Sequence, residues 1–457
     1  MSLKQAIKKA SVTEIRKISK ELPIADIADK LEKLTSEEIV TYFRLLKTEM
    51  QSEIFSHLEP EYQEHLVKLF TNKQMKEIVG ALYASDIADL IEDLPEELAI
   101  SILDATDAET KISVQKILKY EEDQTGSIMN VDIILLKRTQ TISSAIKTIK
   151  ETKETSKLAH YFFVIDSKKK LSGYIALEDL LFGNKTTKLS TITRASPHVV
   201  TTTDKEEAAL EFANYDMSVL PVVNTSKQVV GMITSDDVID IVTDEATEDI
   251  KKMAGIGHID DTPYSKKSTL SIFKSRSLWL MLLMLSATLS QIVLDSFQGF
   301  SNDLLIPTIT TAIVAILPVI SGAAGNAGSQ SSTTIIRALA IGDIVTKDYL
   351  KVIWKEFKVS VLIGLLLGIA NFIRLILYYA AKQDLNIDYL FLSLAASIAL
   401  FAVIILAKLV GGTLPLLARK MKLDPTVMAA PLLTTLIDAL STMIFFGISI
   451  GIMVLIL

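Results

Sequence analysis

The sequence predicts a multidomain membrane protein with an all-α helical-repeat N-domain, an α/β duplicated pair of domains and a five-helix transmembrane domain. Three observations predict it: a sharp charge asymmetry, two internal repeats and five long apolar runs. Residues 1–265 hold 32 basic and 45 acidic residues, a net of −13. Residues 266–457 hold 15 basic and 9 acidic, a net of +6, and contain the apolar runs. The expected boundaries are 1–124 for the helical N-domain, 125–243 for the duplicated pair, 244–270 for a connecting helix and linker, and 271–457 for the spans.

Residues 1–120 lack the alternation of strands and read as helical. Ala25–Leu34 (ADIADKLEKL) repeats at an offset of 60 as Ser85–Leu94 (SDIADLIEDL). Repeated helical hairpins stack into solenoid-like bundles. Residues 125–245 change character. Tyr161–Asp179 aligns at an offset of 58 with Val219–Asp237, each copy reading as strand, polar turn, strand and helix start. Beyond the second copy comes the densest charge run, Asp236, Asp237, Asp240, Asp244, Glu245, Glu248 and Asp249, with no base among them. Asp237, Asp240, Asp244 and Glu248 share one helical face, where like charges cost about 0.2–0.5 kcal/mol per pair. A solvated acidic face explains such a run, but this one leads directly towards the spans, where cations screening it could act on a pore.

A spanning helix needs about 20 mostly apolar residues. Residues 278–297, 304–321, 359–381, 389–416 and 427–457 qualify. Lys266, Lys267, Lys274 and Arg276 precede the first span; Arg337, Lys347, Lys351, Lys355 and Lys358 lie between the second and third; Arg419, Lys420 and Lys422 precede the fifth. Basic loops stay cytoplasmic, so the N-terminus is expected inside and the C-terminus outside a multi-pass protein of the cytoplasmic membrane, in contact with its lipid. Lysines near the N-terminus without an apolar stretch predict no cleaved signal peptide.

Two features interrupt the apolar pattern. Pro318–Thr334 (PVISGAAGNAGSQSSTT) is rich in small and hydroxyl residues. It suits either tight helix packing or a polar lining, and Asn326 and Gln330 favour the lining. Asp438 is the sole ionisable residue after Pro425, and Thr434, Ser441 and Thr442 share its helical face. An intramembrane carboxylate is expensive and marks function by default; the alternative is a buried ion pair with Arg374 or Lys408. Oxygen ligands without His or Cys point to a hard cation, magnesium or calcium.

Composition excludes several classes. With no cysteine there are neither disulfides nor thiolate metal sites. The acidic balance argues against nucleic acid. No phosphate loop ending in Gly-Lys-Ser/Thr and no catalytic grouping of the five histidines is present, so an enzyme is not expected.

The duplicated unit resembles a tandem cystathionine-β-synthase (CBS) domain pair, a regulatory module that often binds adenine nucleotides. In such pairs a Ser/Thr and an Asp three residues on hold a ribose. The second repeat has both, Thr234 and Asp237; the first has Ala176 before Asp179. N-capping is the structural alternative for Thr234. The whole order resembles the MgtE family of magnesium channels, on the Gly322–Arg337 run, Ala246–Ile250 (ATEDI) and Pro431–Asp438 (PLLTTLID).

That resemblance implies a homodimer with its pore at the subunit interface, closed by cytoplasmic Mg2+. It implies a hydrated Mg2+ held by Asp438 of each subunit, with Asn326 and the Gly322 and Gly325 backbone nearby. Regulatory Mg2+ ligands carry over to Glu206, Asp216, Asp237, Asp240, Glu245, Glu248, Asp249 and Asp424, and to the backbone of Gly126 and Ala213. In the N-domain Glu53 and Asp89 match, while Ser85 stands where an aspartate is expected and Asp86 is its substitute. The helix near 244–256 corresponds to the element that plugs the pore, with Gly255 and Gly257 as its hinge. ATP is implied as a modulator. The rival readings are a Co2+ or Zn2+ transporter and a membrane-anchored nucleotide sensor.

Overall fold

The structure, a computed structural model, describes residues 3–8, 11–92, 94–152, 160–257, 264, 267–305, 307–428 and 430–456. Contacts divide the chain into two units, Met1–Thr243 and Asp244–Leu457. Lys266 and most of the linker expected before the first span lie outside the described residues.

Among the described residues of 1–117 there are ten helices of six to ten residues. Local chemistry sets their ends. Thr35 and Glu38 form a reciprocal capping box, as do Thr71 and Gln74. Asp107 accepts from the backbone N–H groups of Glu109 (2.9 Å) and Thr110 (3.0 Å). The 60-residue repeat surfaces as two equivalent helices, Ile24–Leu31 and Ala84–Glu92. Ile27 and Ile87, which correspond, are both fully buried in one continuous core with Ile15, Phe43, Phe55 and Ile102.

The duplicated segment forms two three-stranded sheets. In the first, β1 (Leu135–Lys137) runs parallel to β2 (Tyr161–Ile165), which pairs antiparallel with β3 (Leu171–Ala176). In the second, β4 (Val199–Val200), β5 (Val219–Val223) and β6 (Val229–Thr234) repeat that order. The copies agree down to register: Val164 faces Gly173 and Val222 faces Gly231, with the same irregularity one residue later. Both turns place a lysine, Lys169 and Lys227, at φ 62°. A left-handed lysine costs about 1–2 kcal/mol. Asp166 and Asn224 offset it, each accepting two backbone N–H bonds across its turn.

The helix Ser235–Met253 carries the acidic run without a break. Among the described residues five helices are long and apolar enough to cross a membrane: Thr269–Gly299, Pro307–Ala340, Thr346–Ala381, Ile387–Lys420 and Leu433–Ile456. We refer to them as the first to fifth spans. The fourth is central, packing against the second, third and fifth, and more than half of its apolar stretch is buried. None of the first span's apolar stretch is buried within the chain. The helices outrun the apolar runs that announced them. In particular, the second span, expected at 304–321, runs on as regular helix through Pro318–Thr334 to Ala340. Its small residues let neighbouring backbones close in: a Cβ on Gly411 would lie 2.2 Å from the Gly328 carbonyl oxygen.

Candidate metal centre and ion path

The second span presents one exposed stripe. Ala315, Val319, Gly322, Asn326, Gln330 and Thr334 follow at intervals of about one turn, and all are exposed. The opposite side, with Ile320, Ala324, Ala327, Gly328, Ser331 and Ile335, is buried. A side-chain amide pair facing hydrocarbon is unfavourable, so a polar stripe at this depth belongs against water or protein.

Glycines bring the fifth span alongside. A Cβ on Gly325 would meet Thr434 Cγ2 at 3.5 Å, and one on Gly328 would meet Ile437 Cδ1 at 2.1 Å. Gly325 therefore acts through packing as well as through any backbone oxygen. Asp438 follows Ile437 and is partly exposed. The ion-pair alternative does not hold among the described residues. Arg374 donates to Asn371 Oδ1 (2.8 Å), and Lys408 pairs with Glu356 (3.5 Å). The hydroxyl face expected around Asp438 is corrected as well. Ser441 and Thr442 are buried, and their hydroxyls donate to the Asp438 carbonyl oxygen at 3.1 and 2.6 Å. In an apolar setting a hydroxyl is satisfied by its own helix backbone more cheaply than by an empty cavity.

A second acidic group lies within the same unit. Lys252 bonds Glu248 one turn back and reaches Asp424 Oδ2 at 2.8 Å. Asp424 also accepts from the Thr426 N–H (2.8 Å) and hydroxyl (2.6 Å). Burial opposes ionisation of Asp424, but the Lys252 and Thr426 bonds outweigh it and hold its carboxyl below the usual range. Asp249 goes the other way: burial and then the neighbouring Asp424 charge push it up. Burial also opposes the Lys252 charge, yet its two carboxylate partners hold its pKa above the usual value. Glu245 is partly exposed on the same helix. At that helix's end Gly255 takes φ 67°, where a Cβ would lie 2.1 Å from Trp279 Nε1. The Gly257 N–H donates to the Ser275 carbonyl at 2.8 Å. Both expected hinge glycines thus rest on the first span.

In the first unit, Asp86 and Asp89 line one cavity of about 250 Å3 with Phe55, Ser56 and Gln63. Ser85 instead accepts from Asn130 Nδ2 at 3.2 Å. Glu53 is exposed one turn from Ser56. Gly126 is buried under the Tyr120 ring, 2.4 Å from where its Cβ would be, and its N–H donates to Thr201. Its short helix packs against Lys205–Asn214, which carries Glu206 in its first turn and Ala213 near its end. Asp216 follows at φ 50°, and it, Ala213 and Asp240 are exposed. Among the described residues no three Asp, Glu or His side chains form a ready-made metal cage. Mg2+ keeps most of its water and is usually held by one or two carboxylates, so the oxygen-only donors fit it without such a cage.

The two repeats differ at the expected ribose site. Thr234 donates its N–H and its hydroxyl to Asp237 Oδ2, both at 2.7 Å. The Asp237 carboxylate thus makes the return half of a capping box, and hydroxyl and carboxylate stand together. In the first repeat the Ala176 N–H bonds Asp179 at 3.3 Å, and Arg194 occupies the other carboxylate oxygen at 2.9 Å. Arg194 and Glu356 escaped the sequence reading; only an unexplained charge among apolar residues could have flagged Glu356.

Family models match four stretches of the chain: an "MgtE intracellular N domain" over residues 22–123, CBS domains over 126–183 and 189–244, and a "divalent cation transporter", MgtE, over 317–448. The magnesium transporter MgtE of Thermus thermophilus is 30% identical over 98% of this chain and 97% of its own. That of Bacillus subtilis is 27% identical over 97% and 95%. The crystal structure of the cytosolic domain of the Mg2+ channel MgtE in complex with ATP covers 52% of this chain and 98% of that one, at 29% identity and a TM-score of 0.50. This multi-pass membrane chain belongs to the MgtE family of divalent cation transporters.

Proposed function

We propose that the chain is a homodimeric magnesium channel or transporter, not an enzyme, taking up Mg2+ across the cytoplasmic membrane with its N-terminus inside and C-terminus outside. Its N-domain (1–124), CBS pair (125–243) and connecting helix (244–270) bind cytoplasmic Mg2+ and close the pore built by 271–457. ATP modulates this at the second CBS repeat. The names of the Thermus and Bacillus relatives supply the cargo, and the solved cytosolic domain supplies the nucleotide. The observation that carries the reading is the exposed Gly322–Asn326–Gln330 stripe on the span that packs against the one bearing Asp438, which no basic side chain among the described residues neutralises. Two such faces meeting about a two-fold axis would pair their carboxylates across a polar lining. A hydrated dication suits it, because Mg2+ dehydrates reluctantly.

The test is Mg2+ current through the purified chain in planar bilayers, with Asp438→Ala and Asp438→Asn alongside and Co2+ as a competing cargo. Wild type should pass Mg2+ in preference to Co2+, and both variants should assemble normally yet pass neither. Wild-type current through either variant overturns the assignment of Asp438; a larger Co2+ than Mg2+ current overturns the cargo.

A further inference from the structure

Behind the polar stripe lies a buried charge pair that the proposed function leaves unused. Lys408 of the fourth span and Glu356 of the third are 6% and 12% exposed at their side chains, with Nζ and Oε2 3.5 Å apart. Ser331 of the second span joins them. Its hydroxyl donates to Glu356 Oε2 at 2.6 Å and accepts from Lys408 Nζ at 2.7 Å. Packing alone does not call for charges here, since apolar residues of similar volume are often as stable as a buried pair or more so.

Its location gives it a use. Ser331 lies nine residues after Gly322, about two and a half turns of helix, and so on the side of the helix opposite Gly322. The two sites are close. A Cβ on Gly328 would meet both Ile437 Cδ1, at 2.1 Å, and the Ala407 carbonyl oxygen, at 3.1 Å. Ile437 immediately precedes Asp438, and Ala407 immediately precedes Lys408. A single glycine therefore packs against the neighbours of both Lys408 and Asp438, which sets the Lys408 ammonium close behind the wall along which the cation is proposed to move. In a low-dielectric interior an unbalanced ammonium there would repel a dication.

We infer that Glu356 and Lys408 are positioning residues of the ion path. Glu356 cancels the Lys408 charge behind the wall, and through Ser331 the pair fixes the rotation of the second span that turns Gly322, Asn326 and Gln330 outward. This rests on the proposed function, and the wild-type control separates the two. A wild type that carries no Mg2+ current sinks the function itself, not this pair.

The experiment measures the Mg2+ concentration giving half-maximal current for Glu356→Gln, Lys408→Met and the double variant. Glu356→Gln leaves a lone ammonium and should raise it about tenfold, equivalent to ~1.4 kcal/mol. Lys408→Met leaves a lone carboxylate and should lower it. The double variant, neutral behind the wall, should return close to wild type. A purely structural role shifts both single variants the same way and makes the double variant worst, which would overturn the inference. Should Glu356→Gln fail to assemble, Lys408→Met decides alone, and an unchanged or raised half-saturation overturns it.

Discussion

Lys252 holds Asp424 at 2.8 Å and Glu248 through the same ammonium, so a cation carried by the chain itself occupies the middle of an acidic group. Asp249 adds a third carboxylate close enough for its charge to be felt there. The lysine performs the task assigned above to Mg2+, tying the connecting helix to the segment before the fifth span. It does so with one charge instead of two.

Replacing Lys252 with Met should therefore expose the mutual repulsion of Glu248, Asp249 and Asp424 when Mg2+ is absent. The helix should detach, and open probability without Mg2+ should rise several-fold above wild type. Added Mg2+ should then close the variant at a lower concentration, because the competing ammonium is gone. Because the chain has no cysteine, spin labels on cysteines at Lys251 and Lys422 can report the detachment directly. A label distance unchanged from wild type in Mg2+-free buffer would rule this out.

How much of this was legible in the sequence depended on how locally it is encoded. The duplication at offset 58 announced the two antiparallel strands of each sheet, because strand, turn and strand lie within about 20 residues, and the register of Val164 with Gly173 recurs as Val222 with Gly231; the parallel strands β1 and β4 lie outside it. Apolar length gave the spans, and Asp438 stood out as a lone charge. The second span's length was misjudged because small hydroxyl residues fit helix packing as well as a lining, and hydropathy cannot separate the two. Lys252 with Asp424, and Lys408 with Ser331 and Glu356, were invisible because their partners are far apart along the chain. The close packing of Gly328 on Gly411 lets the helices carrying Ser331 and Lys408 approach.

The nucleotide prediction follows from the contrast between the repeats. Thr234 and Asp237 present a hydroxyl and a carboxylate together, whereas Asp179 is engaged by Arg194 and stands next to an alanine in place of the hydroxyl residue. Calorimetry on the full chain should give about one ATP per subunit. Asp237→Asn should weaken binding at least several-fold, and Arg194→Ala should leave the stoichiometry at one, because Ala176 still lacks the hydroxyl. Two equal sites in wild type would contradict the asymmetry.

Asp107 offers a pH-dependent check on the N-domain. Its carboxyl is held below the usual range chiefly by the Thr110 backbone N–H and hydroxyl. A carboxylate with a depressed folded pKa contributes stability that is present above its unfolded pKa, about 3.9, and is lost as pH falls through the folded value. Asp107→Ala should cost the helix Ala108–Ile117 about 1 kcal/mol at neutral pH, seen as faster amide exchange there. The gap to wild type should narrow only below about pH 4. A gap that stays constant down to the lowest folded pH would mean the cap does not depend on the charge.

The last prediction concerns closure by Mg2+. Asp237, Asp240, Glu248 and Asp249 lie on one unbroken helix, Ser235–Met253. Neutralising all four as Asn or Gln has two opposed effects: it removes repulsion, which favours closure, and it removes ligands, which opposes it. Repulsion between neighbours one turn apart is worth only about 0.2–0.5 kcal/mol per pair. Differential binding of several dications to one equilibrium adds up across the sites, so loss of the ligands should dominate. Lys252 keeps Asp424 as a partner in the variant, so some closure should persist without Mg2+. The variant's open probability should accordingly be low to moderate in Mg2+-free solution and stay nearly flat as cytoplasmic Mg2+ rises through the millimolar range in which wild type is proposed to close. Patch-clamp inhibition curves that superimpose for the two proteins would remove these four carboxylates from gating.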